Sequence, residues 1–360
     1  MIDELKTSKS AVQRPAPGIQ PYLSERGMTL VELMFGLALA TLAIGASYTA
    51  MSSSQKAASI NNQTAEMQQN ARVAMELLTQ DLKTAGFGML GTPVGVCTNP
   101  IMPADQTAGG ADTGPDSVSV VAPTVLSTLS VQANPGAASI TLQGGVTYPT
   151  GFGVGSVVTI NGVISRSVTA VNTNTLTFGT GIGVSAVFPV GTSVYWLQCI
   201  KYDVVRATDA NAATLCGGTP PCLRRGPNPD TNPTSMVAVA EGIEDLQLAY
   251  ACDGCNAALA MGAVPDGIID DWNASGTFDT ADFVSNKTWA AAPETPDKIR
   301  MVRVSIVARQ RVADDKWSST APITAEDHNP TQDAGYSQAA YAQSRRRLLT
   351  RTIQVKNLGS

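Results

Sequence analysis

Oxygen-bearing side chains recur at alternate positions in one short stretch, Asp271-Trp272-Asn273-Ala274-Ser275-Gly276-Thr277-Phe278-Asp279-Thr280-Ala281-Asp282. Counted from Asp271, side-chain oxygens fall at positions 1, 3, 5, 9 and 12, with glycine at 6 and an apolar residue at 8. That is the layout of a twelve-residue calcium loop. Hard oxygen donors suit Ca²⁺, Gly276 permits the sharp turn, and Thr277 offers its backbone carbonyl at position 7. The expected ligand set is Asp271, Asn273, Ser275, Thr277, Asp279 and Asp282, the last giving one contact where a glutamate would give two. The same composition also builds an ordinary acidic turn. Asp266 and Asp270 fall just outside the register, so they are expected to matter much less.

The second set of reactive side chains is six cysteines, at 97, 199, 216, 222, 252 and 255. Six cysteines permit 15 pairings. The economical choice joins Cys216 to Cys222 and Cys252 to Cys255, which leaves Cys97 with Cys199 closing a loop of about 100 residues. In an oxidising compartment such bridges persist. A four-cysteine zinc site from Cys216, Cys222, Cys252 and Cys255 is the other reading, although only the last pair has the usual metal spacing.

Catalysis finds little support, and the chain is not expected to be an enzyme. His328, the single histidine, lies in an Asp/Asn/Pro-rich stretch and is expected to hydrogen-bond locally. No nucleophile elbow, Walker loop or zinc-protease motif occurs. A formal net charge of -5 argues against a nucleic-acid partner. The run Arg345-Arg346-Arg347 reads as a solvated strand edge that discourages edge-to-edge pairing.

The elements that would carry these residues change character along the chain. Residues 1–27 are polar, with basic Lys6, Lys9, Arg14 and Arg26. An apolar stretch follows, from Met28 to about Met51, whose only charge is Glu32. Its length suits a bilayer span of roughly 20 residues. The basic flank predicts a cytoplasmic N-terminus and an exported remainder. No proline occurs between Pro21 and Pro93, so one helix is expected over 28–85, about 87 Å long at about 1.5 Å per residue. Its second half is amphipathic through Met67, Ala71, Ala74, Leu77, Leu78 and Leu82, and the glycines at 86, 88 and 91 end it.

Residues 92–200 read as short Thr/Val/Ser strands between Gly, Asn and Pro turns, the pattern of a small barrel or sandwich. Tyr148, Phe152, Phe178 and Tyr195 look too scattered there to form a binding platform. Residues 201–360 add further strands, among them Met236–Glu241, Leu246–Tyr250, Ile299–Ala308 and Leu348–Val355, together with the candidate calcium loop. The fold class expected is α+β.

Arg26-Gly27-Met28-Thr29-Leu30-Val31-Glu32-Leu33 resembles the class III signal of type IV prepilins and type II secretion pseudopilins. The resemblance implies a type IV pilin-like fold, with the long helix packed on a β-rich globular domain. It also implies cleavage of the 1–27 leader after Gly27 by a prepilin peptidase and methylation of Met28. Glu32 would meet the α-amino group of a neighbouring subunit's Met28, since a carboxylate at membrane depth is usually functional. Asp81–Phe87, Val239–Tyr250 and Ile299–Ala308 resemble segments of the PilW family of minor pilins. The implied role is a minor pilin that helps to initiate, assemble or cap a type IV pilus. Its implied partners are other pilins and minor pilins, the prepilin peptidase and the inner-membrane pilus assembly platform. The implied location is a single pass of the inner membrane with the C-terminal domain in the periplasm, then the pilus or cell surface. A pseudopilin of a type II secretion system and a membrane-anchored adhesin or binding module are the alternatives.

Overall fold

The computed structural model describes residues 27–105, 112–183, 187–228, 235–256, 264–314, 316–319 and 321–357. The expected leader, 1–26 of it, lies outside the described residues, and so does Ser360 at the other end. The chain divides into two compact units, the first ending at Ala58 and the second beginning at Ser59.

Helix α1 runs over Leu30–Thr84 and belongs to both units. No residue in it breaks the hydrogen-bond ladder, because proline is absent and its interior is rich in Ala, Leu, Met and Gln. Beyond Thr84 the chain turns through Gly86, at φ 76°, and Gly88, at φ 70°, a backbone region open to glycine. Both glycines are also closely packed. A methyl group at Gly86 would sit 2.7 Å from the Pro100 ring, and one at Gly88 would sit 2.5 Å from the Thr159 hydroxyl.

Twelve strands follow: β1 Ile101–Ala104, β2 Ser117–Thr128, β3 Ser139–Thr141, β4 Val157–Ile160, β5 Ile164–Asn172, β6 Thr175–Phe178, β7 Ser193–Val205, β8 Cys222–Pro227, β9 Val237–Glu241, β10 Ile243–Cys252, β11 Ile299–Arg309 and β12 Arg346–Gln354. Nine of them form one antiparallel sheet in the order β1-β2-β7-β4-β5-β6-β3, with β8 between β7 and β9. β7 makes this possible by its length. Residues 194–197 pair with β4, residues 200–205 pair with β8, and its other edge carries β2. Ser130 N donates to Thr141 O and Gln143 N to Thr128 O, each at 2.9 Å, so the ends of β2 and β3 meet. The sheet thereby closes around Leu129, Ile140, Leu142, Val158, Leu176 and Phe178, a core of its own. β10, β11 and β12 form a second antiparallel sheet.

Within the second unit, α1 buries Met67, Ala71, Ala74, Met75, Leu78 and Leu82 against Val118, Val120, Tyr202, Leu246, Leu248, Val304 and Ile306. The stripe recurs every three to four residues, as an amphipathic helix requires. A charged group also lies in this interface. Asp81 accepts from the Tyr202 hydroxyl at 2.6 Å and from Arg225 Nε at 2.9 Å. Burial and the adjoining Asp81 charge hold the Tyr202 phenol protonated, far above its ordinary range.

Candidate functional site

At the start of α1, Gly27 and Met28 are exposed, and no atom lies within 4 Å of where a Cβ on Gly27 would stand. Thr29 and Glu32 bind each other reciprocally. Glu32 N donates to the Thr29 hydroxyl, and Thr29 N donates to the Glu32 carboxylate, both at 3.2 Å. This is a capping box, in which two otherwise unpaired N–H groups of the first turn find acceptors. The Thr-x-x-Glu spacing was legible in the sequence, yet attention to the charge of Glu32 alone passes over it. Behind it, Leu30, Phe35, Leu42, Ile44 and Tyr48 are all at least two-thirds exposed, the helix being apolar on every side. One helix at this end of the chain is long and apolar enough to cross a membrane, which fits a single-pass anchor.

The 271–282 loop places its oxygen-bearing positions close together. Asp271 accepts from Ser275 N at 3.1 Å and Gly276 N at 2.6 Å. Asn273 Nδ2 donates to the Asp279 carboxylate at 3.1 Å, and the Ser275 hydroxyl donates to the Thr277 carbonyl at 2.8 Å. Gly276 takes φ 83°, the sharp turn its position demands. Asp282 behaves differently. It is fully buried, and its two oxygens accept from Trp272 N at 2.8 Å and Asp279 N at 2.7 Å, tying the ends of the loop together. Asp279 accepts from Ala281 N and Asn273, and these bonds hold its carboxyl below the ordinary range. The donor set is all oxygen and fits a hard cation at Asp271, Asn273, Ser275, Thr277 and Asp279, with Asp282 as the clasp.

Asp270, just outside this register, has a structural role of its own. It is buried, and its carboxylate accepts from the backbone N–H groups of Gly254, Cys255 and Asn256 at 3.2, 2.7 and 2.7 Å. Asp253 does the same for Asp266 N and Gly267 N. These two acids fold the segment that carries Cys252 and Cys255, which are disulfide-bonded to each other. Cys97 is bonded to Cys199 and Cys216 to Cys222, each pair with Cα atoms 5.7 Å apart.

Three expectations need correction. His328 does not bond only within its own loop. Its Nδ1 lies 2.7 Å from Asp245 in β10, and its Nε2 lies 2.9 Å from Asp333. Burial pulls its pKa down, but the two carboxylates outweigh burial and raise it to about 10. Burial raises the carboxyl of neighbouring Asp112. The arginine run is not uniformly solvated either: the Arg346 side chain is 4% exposed, paired with Glu244 and laid over the Tyr341 ring. Arg345 pairs with Asp314 and lies over Trp317, while Arg347 is exposed. The aromatic residues are also less scattered than their spacing implies. Tyr148 and Phe152 stack at 4.8 Å, and Phe152 stands edge-on to Trp196 at 5.5 Å.

No curated protein matches the chain. Residues 204–357, which contain β8 to β12, the calcium-type loop and His328 with Asp245 and Asp333, match the family model PilW, Type IV Pilus-assembly protein W, so this part of the chain is similar to a type IV pilus-assembly family.

Proposed function

We propose that the chain is a minor subunit of a type IV pilus, which helps to start, assemble or cap the filament through α1. In this reading a prepilin peptidase cuts after Gly27 and methylates Met28. The apolar part of α1 holds the subunit in the inner membrane beside the assembly platform, then packs among other pilins, with the β-rich unit outside. The observation that carries it is the exposed apolar surface of α1 from Leu30 to Met51, which needs lipid or neighbouring helices to cover it. The family match over 204–357 supports the pilus as the setting.

Glu32 supplies the test. Glu32→Gln keeps the capping box, since glutamine serves at the same position, but removes the charge that would pair with a neighbour's α-amino group. The variant is expected in the membrane at normal level and at least about tenfold depleted from sheared filaments, the effect of losing about 1.4 kcal/mol of pairing. Normal incorporation would show that Glu32 serves as a helix cap alone.

The loop 271–282 is proposed to hold one Ca²⁺ on Asp271, Asn273, Ser275, the Thr277 carbonyl and Asp279. The Asn273–Asp279 and Ser275–Thr277 hydrogen bonds support this, because they bring four ligand positions of the loop side by side. An extracellular structural site needs only modest affinity.

A further inference from the structure

β9 is hydrogen-bonded to β8 and to no other strand among the described residues. Among the described residues its outer row of N–H and C=O groups is therefore open to an added strand. Beside it runs a cleft of about 760 Å³, walled on the other side by Glu66, Gln69 and Asn70 of α1. A recess of about 40 Å³ adjoins this cleft, shares Glu66, Asn70, Glu241 and Arg311 with it, and is lined by Gln310 and Thr219. Gln310 is 2% exposed, and neither its Oε1 nor its Nε2 has a hydrogen-bond partner among the described residues. The Thr219 hydroxyl is unpaired in the same way.

Buried polar groups are nearly always paired, and those that are not call for a reason. A carboxamide offers one acceptor and a donor side by side, which is what a peptide unit presents in reverse. The free edge of β9 presents the same alternation along its length. Both features are complementary to extended polypeptide backbone. A helix has its backbone groups already paired, and a lipid chain has none to offer. Glu66 and Glu241 stand on the cleft walls with Arg311 as the single basic residue among those described there, so the charge balance favours a segment carrying Lys or Arg.

We propose that this cleft receives an extended segment of another protein chain, added as a strand along β9, with a peptide or side-chain amide seated on Gln310 and Thr219. The inference rests on the filament-subunit reading only for where that partner is met.

The test uses the full chain in cells that produce it with its assembly partners. A photo-crosslinking residue replaces Val237, an exposed position on β9, and in a control replaces Val154, exposed and outside the cleft. Crosslinked peptides are mapped by mass spectrometry, and the presence of the chain in filaments is scored in the same material. The expected result is capture at Val237 of a defined extended segment of a partner, absent from the Val154 control. Gln310→Met should lower that capture at least tenfold while leaving the melting temperature unchanged or higher, since it removes an unpaired buried amide. Thr219→Val carries the same test if Gln310→Met does not fold. Absence of capture at Val237, capture mapped to a helix, or capture indifferent to both variants overturns the proposal, and the last outcome would mean that the recess holds water. A chain found in filaments without mapped capture sinks this inference alone. Mapped capture with no chain in filaments sinks the filament-subunit reading and leaves this one standing.

Discussion

Asp270 and His328 show how much a single side chain can be asked to hold. Asp270 gathers three backbone N–H groups in a buried turn beside the Cys252–Cys255 bridge. Removing the acceptor leaves those donors unpaired, at a cost of about 1–3 kcal/mol each before relaxation. Asp270→Ala is therefore expected to lower the melting temperature of the chain by many degrees, whereas Asp271→Ala, at a half-buried position bonded to the solvent-exposed N–H groups of Ser275 and Gly276, should change it little in chelator. Equal effects of the two would refute the assignment. His328 makes a pH prediction. Its folded pKa, raised to about 10, lies above the ordinary value of 6.5, so the folded state binds the proton more tightly than the unfolded chain. The stability it contributes is complete below about pH 6.5 and is lost as pH rises toward 10. The groups that face it are Asp245, Asp333 and Asp112, with Asp327 acting on Asp112 and Arg206 lying 3.9 Å from Asp333. The advantage of wild type over His328→Gln in thermal melts should shrink steadily from pH 7 to pH 9.5. Parallel curves across that range would contradict it.

At the scale of elements, the calcium-type loop is a unit whose ends are clasped through Asp282 to Trp272 N and Asp279 N. An ion that binds only the folded loop stabilises by RT ln(1 + [L]/Kd), about 2.7 kcal/mol at a hundredfold excess over Kd. The detergent-solubilised chain is therefore expected to melt several degrees higher in calcium than in chelator, and Asp271→Ala should erase the difference. Identical melting of wild type in both buffers would leave the loop as an acidic turn. Asp282→Ala separates ligand from clasp. It should lower stability in chelator as well, because a fully buried acceptor of two N–H groups is lost. Helix α1 teaches a related lesson. Its burial begins at Met67 and follows the amphipathic period, and that period also places Asp81 on the buried face, where a charged residue is tied to Tyr202 and Arg225.

For the whole molecule, the proposed processing is the most direct prediction. Filament-associated chain should begin at Met28 with an N-methyl group. Loss of the leader removes four basic and three acidic residues and takes the formal charge from -5 to about -6. Intact-mass measurement of sheared filaments checks this, and an unprocessed leader in assembled material would contradict it. Much of this architecture can be read from residue order, because its causes are local. An uninterrupted apolar run dictates a membrane-length helix, absence of proline lets it continue to Thr84, and alternating Val/Thr runs dictate strands. The oxygen spacing in 271–282 and the cysteine positions are local signals of the same kind. Partners distant in sequence are not local. β8 is not among the strands that the pattern suggests, and β7 supplies its ladder, while the stretches Ser193–Leu197 and Cys199–Val205 are one strand because β2, β4 and β8 all pair along it. His328 and Asp245 are 83 residues apart, and Arg346 and Glu244 are 102 apart. Charge and hydrogen-bond pairing depend on position in space, which chain order does not specify until the two sheets and α1 are packed, and that packing alone decided which acids are solvated turns and which hold the fold.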